Sequence, residues 1–206
     1  EAMEKRVMRP RPEEVLPETR RVLARAGCPP DRGEAFVEIA RAVAGKLITL
    51  AKPAAFSVDL PVMGIGPDIV ELDGLTISSS DMVKKLSEAE TVSLFLATIG
   101  AEPEEECRAL GEGNRLIEAL LLDSAASEMV ERLLRLAHLD TAKRMSGFIG
   151  TARYAPGYGD FSLSHQVRIV EVLGGDETGV RVMQDSFMLI PKKSTTGIIG
   201  WKRQRN

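Results

Sequence analysis

Apolar and polar positions follow two different periods along the chain, and the places where the period changes mark its elements. Residues 1–12 are charged and contain proline, and read as a loose N-terminal arm. Glu13 to Ala26 predicts a helix with Val15, Val22, Leu23 and Ala26 on its apolar side; Pro17 is tolerable only near a first turn. Gly27-Cys28-Pro29-Pro30 stops it. Glu34 to Leu50 predicts a second helix, with Phe36, Ile39, Ala40, Val43, Leu47 and Leu50 at the 3.6-residue period. The period then drops to two. Ala55 to Val62 and Asp68 to Leu72 alternate and carry β-branched residues, Asp73-Gly74 signals a turn, and Leu75 to Ile77 returns. Asp81 to Leu86 is a short helix capped by the preceding serines. Thr91 to Ile99 is nearly continuous apolar sequence, the mark of a strand buried on both faces.

Helical spacing resumes at Glu102 to Leu110, whose first turn is acidic, as the helix dipole favours. Leu116 to His138 is the longest helical pattern, with Ala119, Leu122, Ala126, Met129, Leu133 and Leu136 on one stripe. Phe148 to Ala152 predicts a strand and Leu163 to Leu173 a helix. Val180 to Val182, Phe187 to Ile190 and Thr196 to Trp201 predict short strands. No linker-like tract, repeat or heptad run divides the chain. The expected architecture is α+β, with residues 13–206 forming one domain behind the 1–12 arm.

Composition narrows the chemistry. The 206 residues are 44% hydrophobic and 28% charged, with a formal net charge of −3. No basic excess is available to neutralise a phosphate backbone, so nucleic acid is not an expected partner. Cys28 and Cys107 stand far apart, and His138 and His165 have no metal-ligand spacing, which argues against a disulfide framework, a zinc site and an iron–sulfur cluster. No apolar run reaches membrane-spanning length and no signal peptide opens the chain, so a reducing cytoplasm is the expected location.

The most suggestive stretch runs from Arg153 to Gln166. Pro156, Gly157 and Gly159 forbid regular structure there, and the glycines allow positive φ and a close main-chain approach. Asp160 or Ser162 can cap the helix that follows. A glycine-containing loop feeding a helix start presents unpaired N–H groups suited to a carboxylate or phosphate, with Arg153 and Tyr158 adding a fixed charge and a flat ring. The same residues also suit an ordinary strand–loop–helix turn.

Arg153-x-x-Pro156-Gly157-Tyr158, followed by a helix and then Ser186-Phe187-x-x-x-Pro191-x-x-Ser194-x-x-Gly197, resembles the activation domain of cobalamin-dependent methionine synthase. The likeness is closer to stand-alone activation-domain-related proteins, in which the two pieces read Arg-x-Ser/Ala-Pro-Gly-Tyr-Gly-Asp and Pro-x-Lys-Ser-x-x-Gly-Ile-Ile-Gly. Ala97-Thr98-Ile99-Gly100, and Asp123 with Glu131 on the long helix, are also similar to that family. The resemblance implies a C-shaped α+β domain with a mainly antiparallel twisted sheet and packed helices, binding S-adenosyl-L-methionine in an inner groove. It implies as partners a separate corrinoid methionine synthase or methyltransferase, which carries the cobalamin, and a flavodoxin- or ferredoxin-like electron donor. The activity implied is reductive remethylation of that cobalamin in trans; a non-catalytic module that docks on and caps a corrinoid protein is the alternative.

By position, Arg153 matches the arginine that holds the ligand carboxylate. The main chain around Ala155, Pro156 and Gly157 matches the segment that hydrogen-bonds the ligand. Tyr158 matches the tyrosine between methyl donor and corrin. The acidic ligand of the long helix aligns on Ser127, with Glu128 beside it, so Glu128 is the candidate there. The tyrosine near the C-terminus of the fused enzymes falls at or next to Ile199, and their N-terminal aspartate has no aligned position, Asp59 and Asp68 being candidates.

Overall fold

The computed structural model describes residues 4–28 and 34–204. In chain order the elements are β1 (Arg6–Met8), α1 (Thr19–Arg25), α2 (Glu34–Leu50), β2 (Ala54–Ile65), β3 (Ile69–Leu72), β4 (Leu75–Ser78), α3 (Ser80–Leu86) and β5 (Thr91–Thr98). They continue with α4 (Glu102–Glu112), α5 (Leu116–Arg144), β6 (Phe148–Gly150), α6 (His165–Leu173), β7 (Arg181–Val182), β8 (Leu189–Ile190) and β9 (Ser194–Arg203). One sheet runs β4-β3-β2-β5-β9-β6, with β1 also on β2, and its pairings are antiparallel. β7 and β8 form a separate hairpin.

β5 explains the layering. Its apolar run buries both alternating sets of side chains. Phe95 and Ala97 face a core shared with α1, α2, α4 and α5, whereas Val92, Leu94 and Leu96 face one shared with α3, α6 and the hairpins. The result is an α+β fold with helices on both faces of an antiparallel sheet. α5 buries Leu122, Ala126, Met129 and Leu133, and also the adjacent row Leu121, Ala125, Leu134 and Ala137. A helix wedged between a sheet and neighbouring helices needs an apolar surface wider than one stripe. Among the described residues no helix is long and apolar enough to cross a membrane.

Several expected boundaries move, each for a local reason. The 1–12 arm is not loose throughout, because Arg6–Met8 pairs with Ala55 to Ser57 of β2. The helix expected over 13–26 is broken at Pro17, which lacks an N–H to donate; a 3-10 turn at Pro12–Val15 precedes it and α1 starts at Thr19. α5 continues past His138 to Arg144, where Thr141 is buried and accepts from the Arg144 guanidinium at 2.8 Å. Phe148 to Ala152 holds a strand only to Gly150, and α6 starts at His165 rather than Leu163. The last strand, expected over Thr196 to Trp201, runs from Ser194 to Arg203, and Lys202 pairs with Glu88 at 2.8 Å. Pro29, Pro30 and Arg205 lie outside the described residues.

A buried polar thread ties the arm to the sheet. Trp201 Nε1 donates to Ser93 Oγ at 2.7 Å, and Ser93 Oγ donates to Asp59 Oδ1 at 2.5 Å. Asp59 Oδ2 then accepts from Arg6 at 3.0 Å and Arg144 at 2.9 Å. One carboxylate thereby joins β1, β2, β5, β9 and the end of α5, so Asp59 is committed to the fold rather than to a ligand. Ser93 and Trp201 are both in the core. A Ser93→Ala change leaves the indole N–H buried without an acceptor. The expected loss is about 1–3 kcal/mol of unfolding free energy, read from urea denaturation.

Candidate functional site

The Arg153–Gln166 stretch leaves the sheet at Tyr154, which exchanges two backbone hydrogen bonds with Ile198 of β9 at 3.0 and 2.7 Å. Gly157 N–H then donates to the Phe161 carbonyl at 2.7 Å and Phe161 N–H to the Tyr158 carbonyl at 3.0 Å, closing the loop on itself. Phe161 is buried and stacks on the Tyr154 ring with planes 9° apart. Asp160 fastens the far side. Its carboxylate accepts from the Ser79 hydroxyl and from the backbone N–H groups of Ser80 at 2.7 Å and Asp81 at 3.2 Å. It therefore caps α3, not the α6 that follows it in sequence. These donors hold its carboxyl below the usual carboxylate range, the Ser79 hydroxyl contributing most. Gly159 is required at the contact: its φ is +55°, and a Cβ there would lie 2.1 Å from Asp81 Oδ2.

Arg153 crosses the face of β9. Its stem lies over Gly197, where a Cβ would sit 2.8 Å from Arg153 Cδ. The guanidinium emerges beside α5 and donates from one terminal nitrogen to Glu131 Oε2 at 3.0 Å. Between these elements opens a cavity of about 360 Å³, lined by Glu131, Leu134, Arg153, Tyr154, Ala155, Tyr158, Thr195 and Thr196. The Ala155 N–H and carbonyl make no hydrogen bond among the described residues, so a lining main-chain donor and acceptor are both free. Tyr158 stands at the cavity with 65% of its surface exposed, its ring centre 5.9 Å from that of Tyr154. The Lys85 ammonium lies 4.4 Å above the Tyr154 ring.

The structure brings together Arg153, Ala155 and Tyr158 of the expected residues. Pro156 and Gly157 shape the loop but do not line the cavity, and the Gly157 N–H is already bonded. Glu128, one helical turn from Glu131, is committed elsewhere: it pairs with Arg25 of α1 at 2.7 Å and does not line the cavity. Ser127 accepts from Lys193 at 2.8 Å, and that lysine also pairs with Asp123 at 2.7 Å. Ile199 is fully buried in the α5-side core, and Asp68 is exposed in the β2–β3 turn.

Sequence reasoning gave no site role to Glu131, Thr195 or Thr196, all of which line the cavity. Both threonines belong to β9, which starts at Ser194 rather than at Thr196 and pairs there with Thr98 of β5. Sequence reasoning also missed Gln166. Buried at the start of α6, Gln166 accepts from the Thr196 hydroxyl at 3.2 Å and donates to the Phe187 carbonyl at 2.7 Å. His165 staples the loop, its Nε2 accepting from Ser78 N–H at 3.1 Å. The Cys107 thiol is pushed up to about 11, first by burial and then by the Asp123 charge, so it is a poor nucleophile at neutral pH.

Comparison of the whole chain with solved structures gives a decisive match. A crystal structure of the MetH reactivation domain bound to AdoHcy superposes with a TM-score of 0.71 over 99% of this chain and 80% of that one, at 13% identity. The fold is that of the MetH reactivation domain. No protein-family model matches the sequence, and no curated protein matches it. The likeness to the MetH domain therefore lives in the backbone path, and the side chains of the cavity have to be argued on their own chemistry.

The Asp160 cap gives this loop a pH signature. A carboxyl whose folded pKa is depressed stabilises the fold above its unfolded value, about 3.9, and that stabilisation is lost as pH falls through the lower folded value. Asp160→Asn is expected to lower the melting temperature at neutral pH, with the gap to wild type closing as pH falls below about 4. Calorimetric melting curves from pH 7 downward check this; a gap independent of pH would remove the ionised cap.

Proposed function

We propose that the protein binds S-adenosylmethionine in the Arg153 cavity and delivers its methyl group to a corrinoid carried by a separate methionine synthase or methyltransferase. What carries this reading is the convergence of Arg153, Glu131, the free Ala155 main chain and Tyr158 on one cavity within a MetH reactivation-domain fold. The neighbour's AdoHcy is the molecule S-adenosylmethionine becomes once its methyl is gone.

The residues present fit such a ligand. A volume of about 360 Å³ is within the range of small-molecule sites, roughly 300–1,000 Å³. One terminal nitrogen of Arg153 is engaged, which leaves the rest of the fork for a carboxylate. The amino-acid ammonium finds acceptors in Glu131 and in Thr196, whose hydroxyl gives its proton to Gln166 and so faces the cavity as an acceptor. The sulfonium charge is matched by Glu131 and by the face of the Tyr158 ring.

The partner's corrinoid, reduced by an electron from a flavodoxin- or ferredoxin-like donor, would supply the cobalt nucleophile for an in-line displacement. This chain's part is alignment and exclusion of water, because no proton moves in the step. Arg153 and Ala155 hold the amino-acid end. Tyr158, exposed in the free protein, orients the methyl at the mouth and becomes covered when the corrin face docks.

The second reading is a docking module that caps a corrinoid protein without using S-adenosylmethionine. It is favoured by the Glu131 pairing of Arg153 and by Ile199, which puts no phenol in the cavity. Titration calorimetry separates the two. Wild type is expected to bind S-adenosylmethionine, and Arg153→Ala to weaken that binding by about 1.5–3 kcal/mol, the scale of a charged hydrogen bond. Absence of binding to the wild type removes the first reading. Unchanged affinity in Arg153→Ala removes that residue from its role. Mixing the protein with an oxidised corrinoid protein, a reductant and methyl-labelled donor tests turnover.

A further inference from the structure

α5 borders a second opening that the proposed function does not use. A cavity of about 220 Å³ lies between α5 and the Pro12–Val15 turn, lined by Glu14, Val15, Arg132, Arg135, Leu136 and Leu139. It shares no lining residue with the Arg153 cavity. Arg132 lines it half-buried, and its Nε is enclosed by the protein without a hydrogen-bond acceptor. Among the described residues neither the Arg132 nor the Arg135 guanidinium forms a hydrogen bond or ion pair, whereas Arg144 on the same helix and Arg115 just before it are both paired with acids.

We propose that Arg132 and Arg135 form a binding site for a phosphate monoester. An oxyanion placed in the cavity offers acceptors to the terminal N–H groups of both unpaired guanidinium groups. Residues three apart on a helix are surface neighbours, so one anion can meet both side chains. A carboxylate has two oxygens, which a single arginine fork saturates; a phosphate group has enough acceptors for two. Glu14 does not neutralise the pair, because its carboxylate accepts from Arg11 N–H at 2.7 Å and Arg11 Nε at 3.4 Å. Val15, Leu136 and Leu139 supply apolar walls, and Leu139 is 48% exposed at the opening. These walls favour a ligand whose phosphate carries an apolar organic group over the free ion.

Thermal shift and titration calorimetry at constant ionic strength test this with three probes: phenyl phosphate, inorganic phosphate and benzoate. Mass action requires any ligand specific to the folded state to raise the melting temperature. Phenyl phosphate is expected to raise it most, inorganic phosphate less, and benzoate least. Arg132→Met and Arg135→Met are each expected to weaken phenyl phosphate binding about tenfold or more, the scale of one charged contact. Arg153→Ala is expected to leave it unchanged. Arg135 is exposed, so its replacement keeps the test decisive should Arg132→Met disturb folding. The proposal is overturned by no shift with phenyl phosphate, by a benzoate response that equals it, by binding that survives in Arg135→Met, or by binding lost in Arg153→Ala. Inorganic phosphate binding as tightly as phenyl phosphate overturns the role of the apolar walls and leaves the free ion as the ligand.

Discussion

Arg153 can reach α5 only because β9 carries no side chain at Gly197. The stem runs over that gap, and the guanidinium meets Glu131 on the far side. Loop, strand and helix are thereby tied at one point. A methyl group at position 197 would collide with the arginine stem rather than with a flexible chain end, so the loop or the strand would have to move. The cavity is the space left between those elements once the arginine is in place, and its width is set by a backbone contact rather than by surface side chains.

The loop that completes the cavity is held at both ends and free only at its rim. Tyr154 is paired into the sheet, Phe161 is in the core, and Asp160 is bonded to the start of α3. Tyr158 lies between these attachments with its ring in solvent. A ring on a fixed loop loses little freedom when something covers it, which is the economy that preorganisation brings to binding. It also suits a displacement that depends on holding three atoms in line.

The architecture was legible wherever burial sets the pattern. Thr91 to Thr98 reads as a two-sided strand because both alternating sets are apolar, and the 34–50 helix reads correctly because its Ala40, Val43 and Leu47 row is the buried one. Misreadings cluster where a side chain from a distant segment decides the outcome. Asp160 looks like a cap for the next helix, but its donors are some eighty residues upstream. Glu128 and Glu131 are indistinguishable by local sequence, and only the placement of Arg25 and Arg153 assigns each its partner. The loop motif put Arg153 and Tyr158 on one bend, and both line the cavity, because proline and glycine constrain the backbone whatever surrounds it. It did not reveal which N–H groups remain free, since Gly157 spends its own on the turn and Ala155 does not.

The Arg153–Glu131 pair is compatible with a ligand carboxylate for reasons of exposure and geometry. The arginine side chain is 27% exposed and the glutamate 46%, so the pair sits in a screened setting where such contacts contribute little on their own. Its effect is then positional. Glutamate holds one corner of a planar fork in place, and the other N–H groups of that fork make no hydrogen bond among the described residues. In the proposed binding mode an amino-acid head group need not break the pair, because its carboxylate would meet the free edge of the guanidinium while its ammonium approached the same glutamate. A neutral residue at position 131 would leave the arginine free to swing and remove the acceptor for the ammonium, so in the proposed mode the acid would act on both ends of the ligand at once.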